Sequence, residues 1–144
     1  MVTNYIDYVE PICSIIGVGY GIYLFKKNNR LKHFENIEKM MNIFYNDEEI
    51  RTVLYAVDSG NSEEIYFGKS LEKEGDKTIT KLNVIGYQLY SKNISIQDVE
   101  ILQFEILKIL ENETVIEYIK WLKNWGLKLD YISYLKNEVK NIQK

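Results

Sequence analysis

Few residues in this chain are of a type and spacing that could do covalent chemistry. His33 is the only histidine and Cys13 the only cysteine. One histidine is not enough for metal binding or general acid–base catalysis, which need further groups in register. One cysteine excludes an intrachain disulfide and a thiol-based metal site. The adjacent acids Asp47, Glu48 and Glu49 invite a metal or general-acid reading. They stand where a helix is expected to begin, however, and first-turn acids are already explained by the helix dipole, while consecutive residues point in different directions round the axis. Asp58 to Ser62, DSGNS, is a turn by composition and lacks the ligand spacing and closing bidentate Glu of a calcium loop. The sequence shows no nucleophile–base pair, phosphate-cradling glycine loop or metal-ligand cluster. It therefore points away from an enzyme and implies no cofactor.

What remains is the chemistry of surfaces. Near the C-terminus Trp121, Trp125, Tyr131 and Tyr134 interleave with Lys120, Lys123, Lys128 and Lys136. Such a mixture can stack on bases, sit at a lipid interface or contact a partner protein, or its rings can close the end of a helical bundle. Nucleic acid is disfavoured by the net charge of −3. That charge is unevenly spread, with +2 over residues 1–32, −9 over 33–119 and +4 over 120–144. Basic ends would be drawn to anionic lipid; alternatively, the basic C-terminal stretch and the acidic middle face each other within the fold. The 16 Lys to 2 Arg are a compositional bias and do not by themselves define a binding patch.

The element that must position any such surface is the N-terminal apolar run. From Ile12 to Phe25 there is no charged side chain, and as a helix this stretch is about 21 Å long against ~30 Å for a bilayer's hydrocarbon core. Val9 extends it, Lys26 and Lys27 can snorkel, and Tyr5, Tyr8, Tyr20 and Tyr23 suit the interfaces. Bilayer thinning would take up the remaining mismatch. Pro11 fits a first turn, with Asp7 and Glu10 at the positive end of the dipole. The cations Lys26, Lys27, Arg30 and Lys32 follow the run and none precedes it, so a single span would leave the bulk of the chain in the cytoplasm. Cys13, Gly17 and Gly21 recur every four residues as a small-residue stripe for helix–helix association, either in a homodimer or with a partner membrane protein; an unpaired anchor is the alternative. A cleaved signal peptide fits poorly, because the leading residues are acidic and no small-residue cleavage site follows. The competing reading makes residues 11–25 the central core helix of a fully soluble bundle, as short apolar runs often are.

Beyond Lys27 the helical pattern continues through Leu31, Phe34, Ile37, Met41 and Phe44 to about Asn46. Asn46 is expected to cap a helix with Ile50, Val53, Leu54 and Val57 inward. After a short segment Glu63–Phe67, apolar spacing predicts a long helix from about Lys69 to Tyr90, in which Gly75 and Gly86 mark close helix–helix approach. Ser95 and Asp98 have capping-box spacing before a helix carrying Val99, Leu102, Ile106, Ile109 and Leu110. Asn112 caps another with Val115, Ile116, Ile119 and Leu122 inward, Gly126 stops it, and a last helix from about Asp130 buries Ile132, Leu135 and Val139.

The stretch Leu71–Leu122 has a charged helix start, an apolar helix ending near Tyr90, the Asn93–Asp98 helix start and the Ile109-Leu110-Glu111-Asn112 break before Tyr118. In these features it resembles a segment of small bacterial membrane-anchored helical proteins known only as a domain of unknown function. The resemblance implies an N-terminal anchor and a cytoplasmic helical domain, and carries no catalytic residues.

The expectation is therefore an all-α chain. Residues 1–32 form a membrane anchor with a basic juxtamembrane segment, and 33–144 form a cytoplasmic bundle of about four to five helices, at the bacterial inner membrane. A non-enzymatic adaptor or accessory binding subunit is the expected role. The alternative is a small membrane-active toxin, or a phage-related exclusion or lysis factor, in which the glycine stripe oligomerises to disturb the bilayer.

Overall fold

Residues 6–142, with side chains from Ile16 onward, are described by the computed structural model, and among them every regular element is helical. Seven α-helices follow in order: α1 (Ile6–Met41), α2 (Glu48–Asp58), α3 (Glu72–Tyr90), α4 (Ile96–Glu100), α5 (Gln103–Leu110), α6 (Glu113–Asn124) and α7 (Asp130–Asn141). A π-helical turn, Asn42–Asn46, closes α1, and a 3-10 turn, Ser62–Ile65, lies between α2 and α3. The chain divides into two compact units, Met1–Glu35 and Asn36–Lys144.

The second unit is punctuated much as its caps dictate. Asp47, one residue later than expected, caps α2 by accepting from the backbone N–H of Glu49 and Ile50. Ser95 and Asp98 form a reciprocal capping box at α4, and the Asn112 side chain accepts from Val115 N–H at α6. Gly126 follows the end of α6 at φ +93°, a backbone setting that L side chains avoid. The core draws on every helix of this unit. It includes Ile50 and Val53 of α2, Ile79, Leu82 and Ile85 of α3, Val99 of α4, Ile106 and Ile109 of α5, Val115 and Tyr118 of α6, and Leu135 and Val139 of α7. Each such side chain contributes about 1.5–3 kcal/mol by leaving water. α3 packs on both α2 and α7, while α5 bridges α2 and α7.

Gly75 and Gly86 do mark close approach. A Cβ on Gly86 would lie 2.3 Å from the carbonyl oxygen of Tyr131, and one on Gly75 would lie 2.5 Å from Cγ2 of Ile65. The expected single helix from Ser95 is two helices. The backbone closes from Leu102 N to Val99 O at 2.9 Å, a tightened turn, and α5 is then tied to α7 by Gln103 Nε2 donating to Val139 O at 3.1 Å. This division brings the helices after α1 to six among the described residues, against the four to five expected.

The transmembrane expectation is not supported. Although α1 has 36 residues, no helix among the described residues is long and apolar enough to cross a membrane. The physical reason is the short apolar run, which gives way at Lys26 to turns rich in Lys, Asn and Arg. The soluble-core alternative fares no better over the part of 11–25 that is described. Ile16 to Phe25 are exposed throughout, and the hydrophobic core begins at Met40.

Candidate functional site

Three surfaces carry the residues singled out by sequence or exposed by the fold. The first is α1. Ile16, Val18, Tyr20, Ile22, Tyr23, Leu24 and Phe25 are all exposed, and at about 100° per residue they are distributed round the whole circumference of the helix. A helix apolar on all sides is suited to burial in a partner or in lipid, and has no wet face to rest on. Lys26, Lys27, Arg30 and Lys32 follow it, also exposed. Gly17 and Gly21 sit in the helix with open space where a Cβ would be. The Cys13 side chain, like those of Asp7, Tyr8, Val9, Glu10 and Pro11, and all of Tyr5, lies outside the described residues.

The second is the aromatic–basic end. The structure separates what the sequence interleaved. Trp121 is half-buried against Phe67, with ring centroids 4.4 Å apart, and against the buried Tyr118 at 5.7 Å, with Trp125 at 5.3 Å on its outer side. Tyr131 and Tyr134 belong elsewhere, packing with Tyr90 at 5.4 and 5.5 Å. Trp121 therefore closes the bundle, while Trp125 is 71% exposed. Lys120, Lys123 and Lys128 are exposed, but Lys120 and Lys123 lie about 100° and 160° round α6 from Trp121. Rings and cations therefore occupy different sides of the helix. Beneath them the Tyr118 hydroxyl donates to Asp76 Oδ1 at 2.5 Å. Burial first, and then this carboxylate, push the Tyr118 phenol well above its ordinary range.

The third surface was missed by sequence reasoning. Between α2 and α5 lies a groove of about 210 Å³, with Phe44 and Leu54 among its lining and Tyr45, Tyr55 and Phe104 as further walls. The available signal was that Tyr55 and Phe104 are large apolar residues falling off the inward face of their helices.

Two acids of the run at Asp47 are paired with lysines of α3. Asp47 pairs with Lys81 and Glu49 pairs with Lys77, with Lys81 Nζ a further 3.7 Å from Glu49 Oε2. Burial alone would raise the Asp47 carboxyl, but Lys81 and the N–H groups of Ile50 and Glu49 hold it below its ordinary value. Among the described residues no group of three or more His, Cys, Asp or Glu is placed to hold a metal ion. These features define an all-helical domain with exposed apolar surfaces. No protein-family model, curated protein or solved structure matches the chain.

Proposed function

We propose that this protein is a membrane-attached, non-enzymatic helical adaptor. α1 buries its apolar stretch in lipid, and the Asn36–Lys144 unit binds a partner at the membrane surface. The observation that carries the reading is the run of exposed apolar side chains on all sides of α1 from Ile16 to Phe25, followed at once by Lys26, Lys27, Arg30 and Lys32. Lipid takes up the first group and anionic headgroups the second. In the fuller form of the proposal the apolar run crosses a locally thinned bilayer once, leaving the helical domain in the bacterial cytoplasm. Gly17 and Gly21, together with Cys13, would then serve helix–helix association.

The test is alkaline carbonate extraction of membranes from cells expressing the full chain. The parent is expected to stay with the membrane, and an Ile16→Glu/Ile22→Glu variant to be extracted. A parent found in the supernatant sinks the reading.

The four-residue spacing of Gly17 and Gly21 also supports a second reading, in which α1 self-associates to disturb the bilayer as a toxin or phage-related exclusion or lysis factor does. Expression of the parent would then arrest growth, and Gly17→Ile/Gly21→Ile would relieve it; equal growth of the two removes this alternative.

A further inference from the structure

α1 turns from apolar to cationic at one point, and it does so unevenly round its axis. At about 100° per residue, Lys26, Lys27 and Arg30 fall within an arc of about 100°, whereas Lys32 lies about 120° or more from each of them. All four are exposed. Arg30 is four residues from Lys26 and three from Lys27, so it faces both across a single turn and the like charges repel. No carboxylate answers them. Residues 11–34 contain no Asp or Glu, and Glu35, the next acid along the chain, lies about 140° round the helix from Arg30. None of the three cations forms an ion pair among the described residues.

The same side of the helix says what kind of anion meets these charges. Upstream of Lys26 it continues through Tyr23 and Gly19 to Ile16, all within the arc, with Tyr20 about 20° outside it. Ile16 and both tyrosines are exposed, the tyrosine rings lie 6.4 Å apart, and space is open where a Gly19 Cβ would be. A free anion in water gains nothing from such neighbours. A phospholipid carries its phosphate on acyl chains, and the axial spacing suits it, since Ile16 is about 15 Å from Lys26, half of the ~30 Å hydrocarbon core. Tyrosine fits the level between the two, with its ring in lipid and its hydroxyl at the polar boundary. The other sides of this stretch are apolar as well, but this is the one that ends in three cations.

We propose that this side of α1 binds one anionic phospholipid, its phosphate held between Lys26, Lys27 and Arg30 and one acyl chain lying along Tyr23, Gly19 and Ile16. The planar guanidinium of Arg30 supplies paired N–H donors to the phosphate oxygens, and the two lysines add charge on either side. The proposal rests on the reading that α1 is buried in lipid, and it narrows that reading. An anionic surface attracts all four cations alike, whereas a site has a side and leaves Lys32 out.

The test uses the full chain reconstituted in phosphatidylcholine vesicles with a trace of chain-spin-labelled phosphatidylglycerol or phosphatidylcholine. Electron paramagnetic resonance reads the share of label slowed at the protein surface. A preference of roughly tenfold or more for phosphatidylglycerol is expected. Lys26→Gln, Lys27→Gln and Arg30→Gln should each reduce it about fivefold, the worth of one basic residue at an anionic surface, while Lys32→Gln, the same change of charge, leaves it unaltered. All four side chains are exposed, and circular dichroism of each variant should match the parent. The proposal is overturned if the two labels are slowed equally, or if Lys32→Gln costs as much as Arg30→Gln, which would make the attraction one of net charge. It is equally overturned if inorganic phosphate displaces the labelled lipid at constant ionic strength, which would make the site one for the free anion. Flotation of the vesicles separates this proposal from the reading beneath it. A chain left behind sinks both, whereas a chain that floats without lipid preference sinks this proposal alone.

Discussion

Substituting Gly86 by Ala probes how closely α3 and α7 are seated. The added methyl would stand 2.3 Å from the Tyr131 carbonyl oxygen, 2.9 Å from its carbonyl carbon and 3.0 Å from its Cβ. Ordinary contact needs about 3.3 Å or more, so α7 would have to retreat by about 1 Å at this point. The obstacle is backbone, which cannot rotate aside as a side-chain end would. Overpacking of a core costs about 1–3 kcal/mol, and a fixed obstacle puts this site at the upper end. Ala is favoured over Gly inside a helix by about 1 kcal/mol, which leaves a net loss of about 2 kcal/mol. For a domain of about 100 residues that lowers the midpoint by on the order of 10 °C. The assay is thermal and urea unfolding of the full chain in detergent, followed at 222 nm, beside a Gly21→Ala control that has open space around it. Gly86→Ala melting at or above the parent's temperature would refute the claimed approach of the two helices.

Other outcomes follow from the same geometry. Gly75→Ala meets Cγ2 of the buried, β-branched Ile65 at 2.5 Å and its carbonyl oxygen at 3.1 Å, so in the same unfolding assay it should also destabilise, by less than Gly86→Ala because the contact under 3.0 Å is with side chain and not backbone. Tyr118→Phe removes a hydrogen bond to a carboxylate and should lower urea stability by about 1.5–3 kcal/mol, whereas Trp125→Ala, on an exposed side chain, should stay within about 0.5 kcal/mol of the parent. Asp98→Ala should cost about 3 kcal/mol in the same measurement, because its Oδ2 accepts from Ser95 N at 2.7 Å, Ser95 Oγ at 3.0 Å and Asn36 Nδ2 at 3.2 Å while the residue is only 2% exposed. The Asp47 and Glu111 carboxyls are held below their ordinary values, Glu111 chiefly by Lys140. Their contribution is therefore complete above the ordinary carboxylate range near pH 4 and is lost as pH falls through the depressed values. Urea titrations between pH 7 and pH 2.5 should show this loss, and Asp47→Asn should make the decline shallower.

Helices whose starts are written in side-chain oxygens were legible in the sequence. Ser95 with Asp98, and Asn112, act locally, within one turn, so spacing alone reveals them, whereas the cap of α2 was expected at Asn46 and is made by Asp47. Gly75 and Gly86 were legible because a helix interior has no reason of its own to keep glycine. The break between α4 and α5 was not, since no Gly, Pro or Asn marks Ile101-Leu102 and the apolar spacing runs on across it. The split of the aromatic end was also hidden. Interleaving along the chain says nothing about which rings meet, and that depends on where the loop carrying Phe67 comes to rest. The α2–α5 groove needed the fold itself, because Tyr55 and Phe104 are 49 residues apart in the chain. The apolar run of α1 was legible as a length and a composition, and its shortness is what separates an apolar helix from a spanning one.

The hydrogen bond from Asn36 to Asp98 joins residues 62 apart in the chain. During synthesis, which runs from the N-terminus, the last turns of α1 therefore wait for everything through α4 to be made before this tie can close. Until then Met40 and Phe44, both buried in the finished fold, are bare at the end of a helix that is already apolar farther upstream. While that tie is open the nascent chain presents more apolar surface than the finished fold does.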